Sequence, residues 1–247
     1  MLVEVSSVSK SFSQLQVLNK ISFGLERSQV LALVGPSGSG KTTLLRCLNG
    51  LTPIDSGAIR LLDGEFQITP GSKVNGLLRQ RVGMVFQGLN LWPHLTVLEN
   101  LTLGPTQILK MRRSEAEGRA RELLIKVKLS EKENAYPATL SGGQAQRVAI
   151  ARAMAIQPKV LLLDEITSAL DPELVWELLD VVKDVVSTGT TVVMATHHIG
   201  FAKEIANQAI FLDHGHVVES GAANAVLGSP QHPRTQEFLR RIMPGKL

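Results

Sequence analysis

A glycine-rich segment at residues 35–42, "GPSGSGKT", contains the residue types that surround a phosphate chain. It follows the unbroken apolar run "VLALV" and precedes a predicted helix that begins at Lys41. In that setting the glycines let backbone N–H groups approach phosphates, Lys41 reaches the β- and γ-phosphates, and the Thr42 hydroxyl can bind Mg²⁺. A chance glycine turn is the alternative. The segment predicts nucleoside triphosphate binding by Gly35, Pro36, Ser37, Gly38, Ser39, Gly40, Lys41, Thr42 and Thr43.

Two adjacent acidic residues, Asp164 and Glu165, follow the apolar run "VLLL". A carboxylate at the end of a buried strand can hold Mg²⁺ or its waters, and we assign this role to Asp164. The next carboxylate can orient a water for in-line attack on the γ-phosphate, so Glu165 is the predicted general base. A pair of solvated acids at a strand end is the alternative.

Two further polar residues follow predicted strands. Gln87 comes after "VGMVF". Its amide can bind Mg²⁺ there and can transmit the presence of a γ-phosphate to the helices that follow. His197 comes after "TVVMAT", at the carboxyl end of a parallel strand, where ligands bind in open α/β sheets. We predict a γ-phosphate contact for His197. A surface role for Gln87 and a structural role for His197 are the alternatives.

The segment "LSGGQ" predicts a second anion site. Ser141 and Gln144 have capping-box spacing, so a helix should begin there. Gly142 and Gly143 are poor helix formers, but they leave backbone N–H groups accessible at the positive end of the helix dipole. A capped helix without a ligand is the alternative. Because the segment has no lysine and lies far along the chain from Lys41, its anion site should be separate from the phosphate loop.

The order of the predicted elements indicates one α/β domain with an insertion. Apolar strands alternate with helices at both ends of the chain, and Asp63–Gly64 marks a tight hairpin turn. Between them lies a helical stretch with capping boxes at Thr96 with Glu99 and at Ser114 with Glu117. We predict a phosphate-loop core with a mostly parallel sheet and an antiparallel portion. Within the single domain 1–247, the core spans 1–88 and 158–220, a helical subdomain 89–157 and terminal helices 221–247.

Composition sets broad limits on the class of protein. The chain has 247 residues, of which 44% are hydrophobic, as expected for an ordinary globular domain. It contains no apolar run of about 18 residues and begins with an alternating strand pattern, which predicts a soluble protein that is not secreted. Cys47 is the single cysteine, so an internal disulfide is excluded. The net charge of +4 carries little information.

Taken in order, "GPSGSGKT", "VFQ", "LSGGQ", "LLLDE", "SALD" and "THH" resemble the motifs of the nucleotide-binding subunit of ABC transporters. The resemblance covers nearly the whole chain. It implies ATP and Mg²⁺ as cofactors and a head-to-tail homodimer, in which the helix after Ser141 binds the γ-phosphate held by the opposite subunit. It also implies that Phe12 stacks on adenine, with core packing as the alternative, and that residues Ser168 to Asp171 contact the opposing subunit.

Stretches outside the shared motifs narrow the resemblance. "NLWPHLTVLEN", "SALDPELV" and "GSPQHPRTQEFLRRI" look like segments of the ATPases of bacterial polar amino-acid importers. That likeness implies a peripheral protein on the cytoplasmic face of the membrane, two permease subunits as partners, and indirect action with an extracytoplasmic solute-binding protein. It implies no nucleic-acid partner. The apolar run "LNLWPHL" either lines the groove for a permease helix or belongs to the core of the insert.

Two other classes compete with this interpretation. ABC-type ATPases of DNA repair, chromosome structure or translation share the motifs, but they have long coiled coils or tandem ATPase units that this chain lacks. A small-molecule kinase has the phosphate loop but leaves "LSGGQ" unexplained. Three residues depart from the frequent family pattern: Ile166 replaces a proline, His198 a glutamate and Ala145 a glutamine. None removes a catalytic group, so we expect activity to survive.

Overall fold

The computed structural model describes residues 1–74, 76–167 and 171–242. Two sheets form the core. The strands are β1 (Val3–Phe12), β2 (Leu15–Leu25), β3 (Val30–Val34), β4 (Ser56–Leu61), β5 (Phe66–Ile68), β6 (Val82–Val85), β7 (Val160–Asp164), β8 (Thr191–Ala195), β9 (Gln208–Asp213) and β10 (His216–Ala222).

The helices cover both faces of the larger sheet or form the insert between β6 and β7. They are α1 (Lys41–Leu48), α2 (Gly76–Arg81), α3 (Val97–Gln107), α4 (Arg113–Lys126), α5 (Gly142–Met154), α6 (Pro172–Ser187), α7 (Ile199–Ile205), α8 (Ala223–Gly228) and α9 (Pro233–Ile242). None of them, over the ranges that the structure describes, is long and apolar enough to cross a membrane.

The larger sheet has the strand order β10-β9-β3-β8-β7-β6. Its pairs from β9 to β6 are parallel, and β10 pairs antiparallel with β9. The smaller sheet, β2-β1-β4-β5, is antiparallel throughout. This arrangement confirms the predicted α/β class, with a mostly parallel sheet and a separate antiparallel portion.

The apolar strands fold this way because both faces of the larger sheet are covered. Every residue of β3, β7 and β8 is buried, as continuous apolar runs predict for parallel strands. Along β3, Val30 and Val34 face one hydrophobic core, while Leu31 and Leu33 face a second one. The second core also receives α1 and the inner face of the smaller sheet. The sheet therefore lies between two hydrophobic cores. Packing on both faces fixes the positions of the strand ends.

The helix starts show where local sequence signals succeed. Thr96 and Glu99 form the predicted capping box of α3, and Ser141 and Gln144 form that of α5. The capping box predicted at Ser114 is wrong. There α4 begins earlier, with Arg112 at the N-cap position and no side-chain cap. The tight turn at Asp63 and Gly64 is confirmed, since both residues have positive φ between β4 and β5.

Candidate nucleotide-binding site

The predicted site residues of the core lie at the carboxyl ends of strands in the larger sheet. The phosphate loop follows β3, Asp164 ends β7, His197 follows β8, and Gln87 follows β6. These four strands are consecutive neighbours in the order β3-β8-β7-β6 and run parallel. Their carboxyl ends therefore meet, as expected for a ligand site in an open α/β sheet.

The backbone of the phosphate loop requires glycine at two positions. Gly35 has φ 145°, and a Cβ there would lie 2.0 Å from the carbonyl oxygen of Leu212. Gly40 has φ 105°, and its Cβ would lie 2.7 Å from the carbonyl oxygen of Val17 on β2. Side chains would be strained at both positions and would clash with backbone. The backbones of β2 and β9 thus restrict the conformation of the loop.

The loop and the start of α1 fit a bound phosphate chain. Lys41 is only 4% exposed, and its Nζ donates hydrogen bonds to the carbonyl oxygens of Gly35 and Pro36, at 2.9 and 3.0 Å. Burial lowers the pKa of Lys41, against the opposing effect of Glu165 and Asp164. The buried Ser39 Oγ has no hydrogen-bond partner within the described ranges, and α1 has no side-chain cap. An uncapped helix start, a buried cation and an orphaned hydroxyl suit an anion.

The other loop residues differ in exposure. Ser37 and Gly38 are exposed, and a Cβ on Gly38 would meet no atom within 4 Å. Pro36 and Thr43 are half-buried. The outer side of the loop is therefore open, while its inner side packs against the core.

Thr42 and Asp164 meet at the site. The Thr42 Oγ1 donates a hydrogen bond to Asp164 Oδ1 at 2.7 Å. Asp164 is 2% exposed. Burial raises its pKa, although the hydrogen bond from Thr42 acts in the opposite direction. A hydroxyl and a buried carboxylate in contact are hard oxygen donors of the kind that Mg²⁺ prefers.

Glu165 lies between two of the other predicted residues. Its Oε1 is 2.7 Å from His197 Nε2 and 4.0 Å from Lys41 Nζ. The backbone at Glu165 has φ 50°, and its N–H donates to the carbonyl oxygen of Ala195 at 2.9 Å. A left-handed backbone is uncommon for a residue other than glycine and costs about 1 kcal/mol or more. The structure therefore holds this carboxylate at an unusual turn, beside the phosphate loop.

Gln87 is exposed, two residues beyond the end of β6. Val85 of β6 pairs with Leu163 of β7, so Gln87 lies on the same sheet edge as Asp164. Within the part of the chain that the structure describes, no hydrogen bond joins Gln87 to Thr42 or Asp164. The structure thus places Gln87 at the carboxyl end of β6, but it does not bring Gln87 into contact with the other predicted Mg²⁺ ligands.

Phe12 ends β1 and is 50% exposed, so core packing does not account for it. The Lys10 Nζ lies 5.3 Å from the centre of its ring. Asp55 fixes that lysine through a 2.7 Å contact and also accepts a hydrogen bond from the Ser11 N–H at 2.6 Å. Lys10 therefore packs on the Phe12 ring. The hairpin that carries Phe12 continues to Val17, whose carbonyl oxygen lies next to Gly40 of the phosphate loop.

The second predicted anion site lies at the start of α5. Ser141 Oγ accepts a hydrogen bond from the Gln144 N–H, and Gln144 Oε1 accepts one from the Ser141 N–H. The N–H groups of Gly142 and Gly143 occupy the first turn, where no carbonyl of the helix can accept them. Gly142 is exposed, whereas Gly143 is buried and a Cβ there would lie 3.2 Å from Leu174. Gly143 thus allows close packing against Leu174 of α6.

The segment before α6 is described only in part. Asp171 is the N-cap residue of α6 and is exposed, without a side-chain capping bond. The rest of the predicted subunit-contact loop, residues 168–170, lies outside the described residues, as do residues 243–247 of the predicted C-terminal segment.

The departures from the family pattern have local explanations at two positions. The His198 Nδ1 accepts a hydrogen bond from the Phe201 N–H at 3.1 Å and so caps α7. This contact places the ring proton on Nε2. Ile166 is 2% exposed and belongs to the hydrophobic core. Ala145 is a half-buried residue of α5, and nothing in its contacts explains the replacement of glutamine.

Comparison with known proteins places these features in a family. The profile described as "ABC transporter" matches residues 18–168. The chain is 47% identical to the glutamine transport ATP-binding protein GlnQ of Escherichia coli K12, covering 98% of this chain and 100% of that protein. It is 49% identical to the arginine transport ATP-binding protein ArtM of Bacillus subtilis 168, covering 98% and 100%.

The fold is also similar to that of solved structures. One is the ATP-binding cassette MJ0796 in a dimeric post-hydrolysis state bound to ADP and Pi. It superposes with a TM-score of 0.79 at 32% identity and covers 90% of this chain and 99% of that chain. Both the sequence and the arrangement of elements are therefore shared over most of the length.

Proposed function

The chain belongs to the ABC transporter family, and we propose that it is the ATP-hydrolysing subunit that powers a polar amino-acid importer. The observation that carries the proposal is the meeting of Lys41, Glu165 and His197 at the phosphate loop, in a chain similar over 98% of its length to glutamine and arginine transport ATP-binding proteins. Those relatives transport glutamine and arginine at nearly equal identity to this chain, which supports polar amino acids as the class of solute.

In the proposed mechanism, the triphosphate of ATP lies on the phosphate loop and the start of α1. Lys41 then exchanges its two carbonyl contacts for phosphate oxygens, which are stronger acceptors because they are charged. Thr42, Asp164 and Gln87 would hold Mg²⁺, which neutralises charge on the β- and γ-phosphates when it is bound. Glu165 takes a proton from the attacking water as its oxygen bonds to the γ-phosphorus and the bond to the bridging oxygen of the leaving ADP breaks. His197 fixes the carboxylate through its 2.7 Å contact and reaches the γ-phosphate.

The start of α5 completes the site from a second subunit. Nothing in the described ranges joins Ser141 to the phosphate loop of its own chain by a hydrogen bond. The first-turn N–H groups without an acceptor in the helix belong to Gly142 and Gly143, and Ser141 and Gly142 are exposed, so a γ-phosphate held by another copy can reach this helix start. We therefore propose a head-to-tail homodimer that closes on two ATP molecules and reopens after hydrolysis. Asp171 lies at the start of α6, beside α5, and belongs to the same subunit contact.

The dimer would act on two permease subunits at the cytoplasmic face of the membrane, and indirectly with an extracytoplasmic solute-binding protein. The test is co-expression with candidate permease and binding-protein subunits, followed by purification and reconstitution in lipid vesicles. We expect the chain to co-purify with the permease, and its ATPase activity to rise several-fold with binding protein and one of glutamine, arginine or histidine. Recovery without any permease, or with nucleic acid or ribosomes, would contradict the importer proposal.

Phe12 gives a prediction about the adenine base. Phe12→Ala should weaken ATP binding by about tenfold, because base–aromatic stacking contributes about 1–3 kcal/mol. Binding of inorganic tripolyphosphate, which has no base, should not change. Calorimetric titration with both ligands measures the difference. Leu15→Ala, at a 68% exposed position of the same hairpin, is the matched control. Equal losses for ATP and tripolyphosphate would show that Phe12 supports the loop rather than the base.

Asp164 gives a prediction about Mg²⁺. ATP should raise the melting temperature of the wild-type chain more with Mg²⁺ than with EDTA, because a ligand that binds the folded state stabilises it more when it binds more tightly. Asp164→Asn should abolish this difference, while the amide oxygen still accepts the hydrogen bond from Thr42. The exposed Asp184→Asn is the control. A Mg²⁺ effect that survives Asp164→Asn in full would assign the metal to other residues.

A further inference from the structure

One arginine joins the segment after Gln87 to the far end of α5. The Arg152 Nη1 donates a hydrogen bond to the carbonyl oxygen of Asn90 at 2.6 Å, and its Nη2 donates to that of Leu89 at 2.8 Å. The guanidinium carbon also lies 4.8 Å from the centre of the Trp92 ring. The planar, forked side chain of arginine makes all three contacts at once, which a lysine cannot do.

The two carbonyl groups belong to a turn that needs support. Leu89 has φ 59° and Asn90 has φ 52°, so two consecutive non-glycine residues are left-handed. Such residues persist only where neighbouring groups fix them. Arg152 supplies that restraint on one side. On the other, the buried Asn100 accepts a hydrogen bond from the Trp92 N–H and donates to the Trp92 carbonyl, at 2.9 and 3.1 Å.

The contact is also electrostatically costly to open. Burial lowers the pKa of Arg152. In the ranges that the structure describes, no acidic side chain forms an ion pair with Arg152 or raises its pKa. The charge is therefore compensated by two carbonyl dipoles and an aromatic face. Moving the turn away from α5 would break both hydrogen bonds from the charged guanidinium and its contact with the Trp92 ring, which is unfavourable.

We propose that Arg152 is a positioning residue that makes the segment 88–92 and α5 move together. A helix transmits a displacement along its axis, and about 17 Å of α5 separates Arg152 from Ser141 at a rise of about 1.5 Å per residue. A change at Gln87, in contact with the nucleotide of its own chain, then repositions the anion-binding start of α5. The inference rests on the proposed function, because it uses the roles assigned to Gln87 and Ser141.

The test measures the ATP concentration needed for half-maximal dimerisation in a Glu165→Gln background. Arg152→Lys keeps the charge and loses the fork, so we expect the required concentration to rise about tenfold, as for loss of a hydrogen bond from a charged group. Arg147→Lys is the matched control. Arg147 also lies on α5, but it contacts the Val127 carbonyl and Glu177 instead of the segment 88–92. We expect less than a threefold change for this control.

A double-mutant cycle shows whether Arg152 acts through Gln87. Gln87→Ala combined with Arg152→Lys should shift the ATP requirement no more than the larger single change, whereas Gln87→Ala with Arg147→Lys should give the product of both. A merely structural role of Arg152 would make both pairs multiplicative, and that result would overturn the inference. Melting temperatures without nucleotide are measured for every variant.

Two further outcomes are decisive. If Gln87→Ala alone leaves the ATP concentration for half-maximal dimerisation unchanged, the proposed role of Gln87 fails. The comparison of Arg152→Lys with Arg147→Lys then tests whether the segment 88–92 positions α5. Equal shifts for these two variants would overturn that inference as well. Should Arg152→Lys fail to fold, Trp92→Leu removes the aromatic face while retaining the arginine. It should then show a smaller shift with the same non-additivity, and an additive shift would contradict the inference.

Discussion

Glu165→Gln is expected to slow ATP hydrolysis at least about a hundredfold while ATP binding remains nearly unchanged. The amide keeps the size of the side chain and can still contact His197 Nε2, which lies 2.7 Å from Glu165 Oε1 in the wild-type chain. It cannot accept the proton of the attacking water. The ATP-bound dimer should therefore accumulate, because closure takes place and hydrolysis does not reopen it.

The measurement combines steady-state turnover with size-exclusion chromatography in the presence and absence of Mg-ATP. Glu173→Gln, at an exposed position in the first turn of α6, is the matched control and should keep normal turnover. Near-normal turnover of Glu165→Gln would transfer the role of general base elsewhere, with His197 as the next candidate. Loss of ATP binding would instead show that Glu165 mainly holds Lys41 in place.

The parts of the site that could be predicted from the sequence depend on local geometry. The phosphate loop is recognisable because a tight turn between a buried strand and a helix requires glycine at Gly35 and Gly40. The capping box at Ser141 involves residues only three positions apart. Asp164 and Glu165 are marked by the buried strand that they follow. In each case the residues that form the signal lie within a few positions of one another, although the backbone that excludes side chains at Gly35 and Gly40 belongs to Leu212 and Val17.

The parts that could not be predicted depend on contacts between distant segments. Arg152 meets the carbonyl groups of Leu89 and Asn90 across more than sixty positions, as the separations of 63 and 62 show. No residue type near Glu165 predicts its left-handed backbone. The neighbouring strand β8 fixes that conformation through the hydrogen bond from the Glu165 N–H to the carbonyl oxygen of Ala195. The wrong capping box at Ser114 has a local cause instead: the helix extends to Arg113, which forms an i,i+4 ion pair with Glu117 at 2.9 Å and so engages that carboxylate.

The central claim is that each nucleotide is bound by Lys41 of one subunit and Ser141 of the other. Lys41→Ala removes a buried cation of the phosphate loop, and Ser141→Arg blocks the start of α5 at an exposed position. Each change should abolish ATP occlusion in a homodimer. A mixed dimer of the two variants, however, contains one site in which the intact Lys41 faces the intact Ser141. All chains carry Glu165→Gln so that bound ATP stays trapped.

The most direct measurement is occlusion of labelled ATP by differently tagged, purified mixed dimers. The control pairs a chain carrying both Lys41→Ala and Ser141→Arg with a chain carrying neither. A shared site predicts one occluded ATP per dimer for the pair of single variants and none for the control pair. Sites made within one chain predict the reverse. Occlusion by the control pair, with none by the pair of single variants and with dimer formation verified, would contradict the shared-site mechanism.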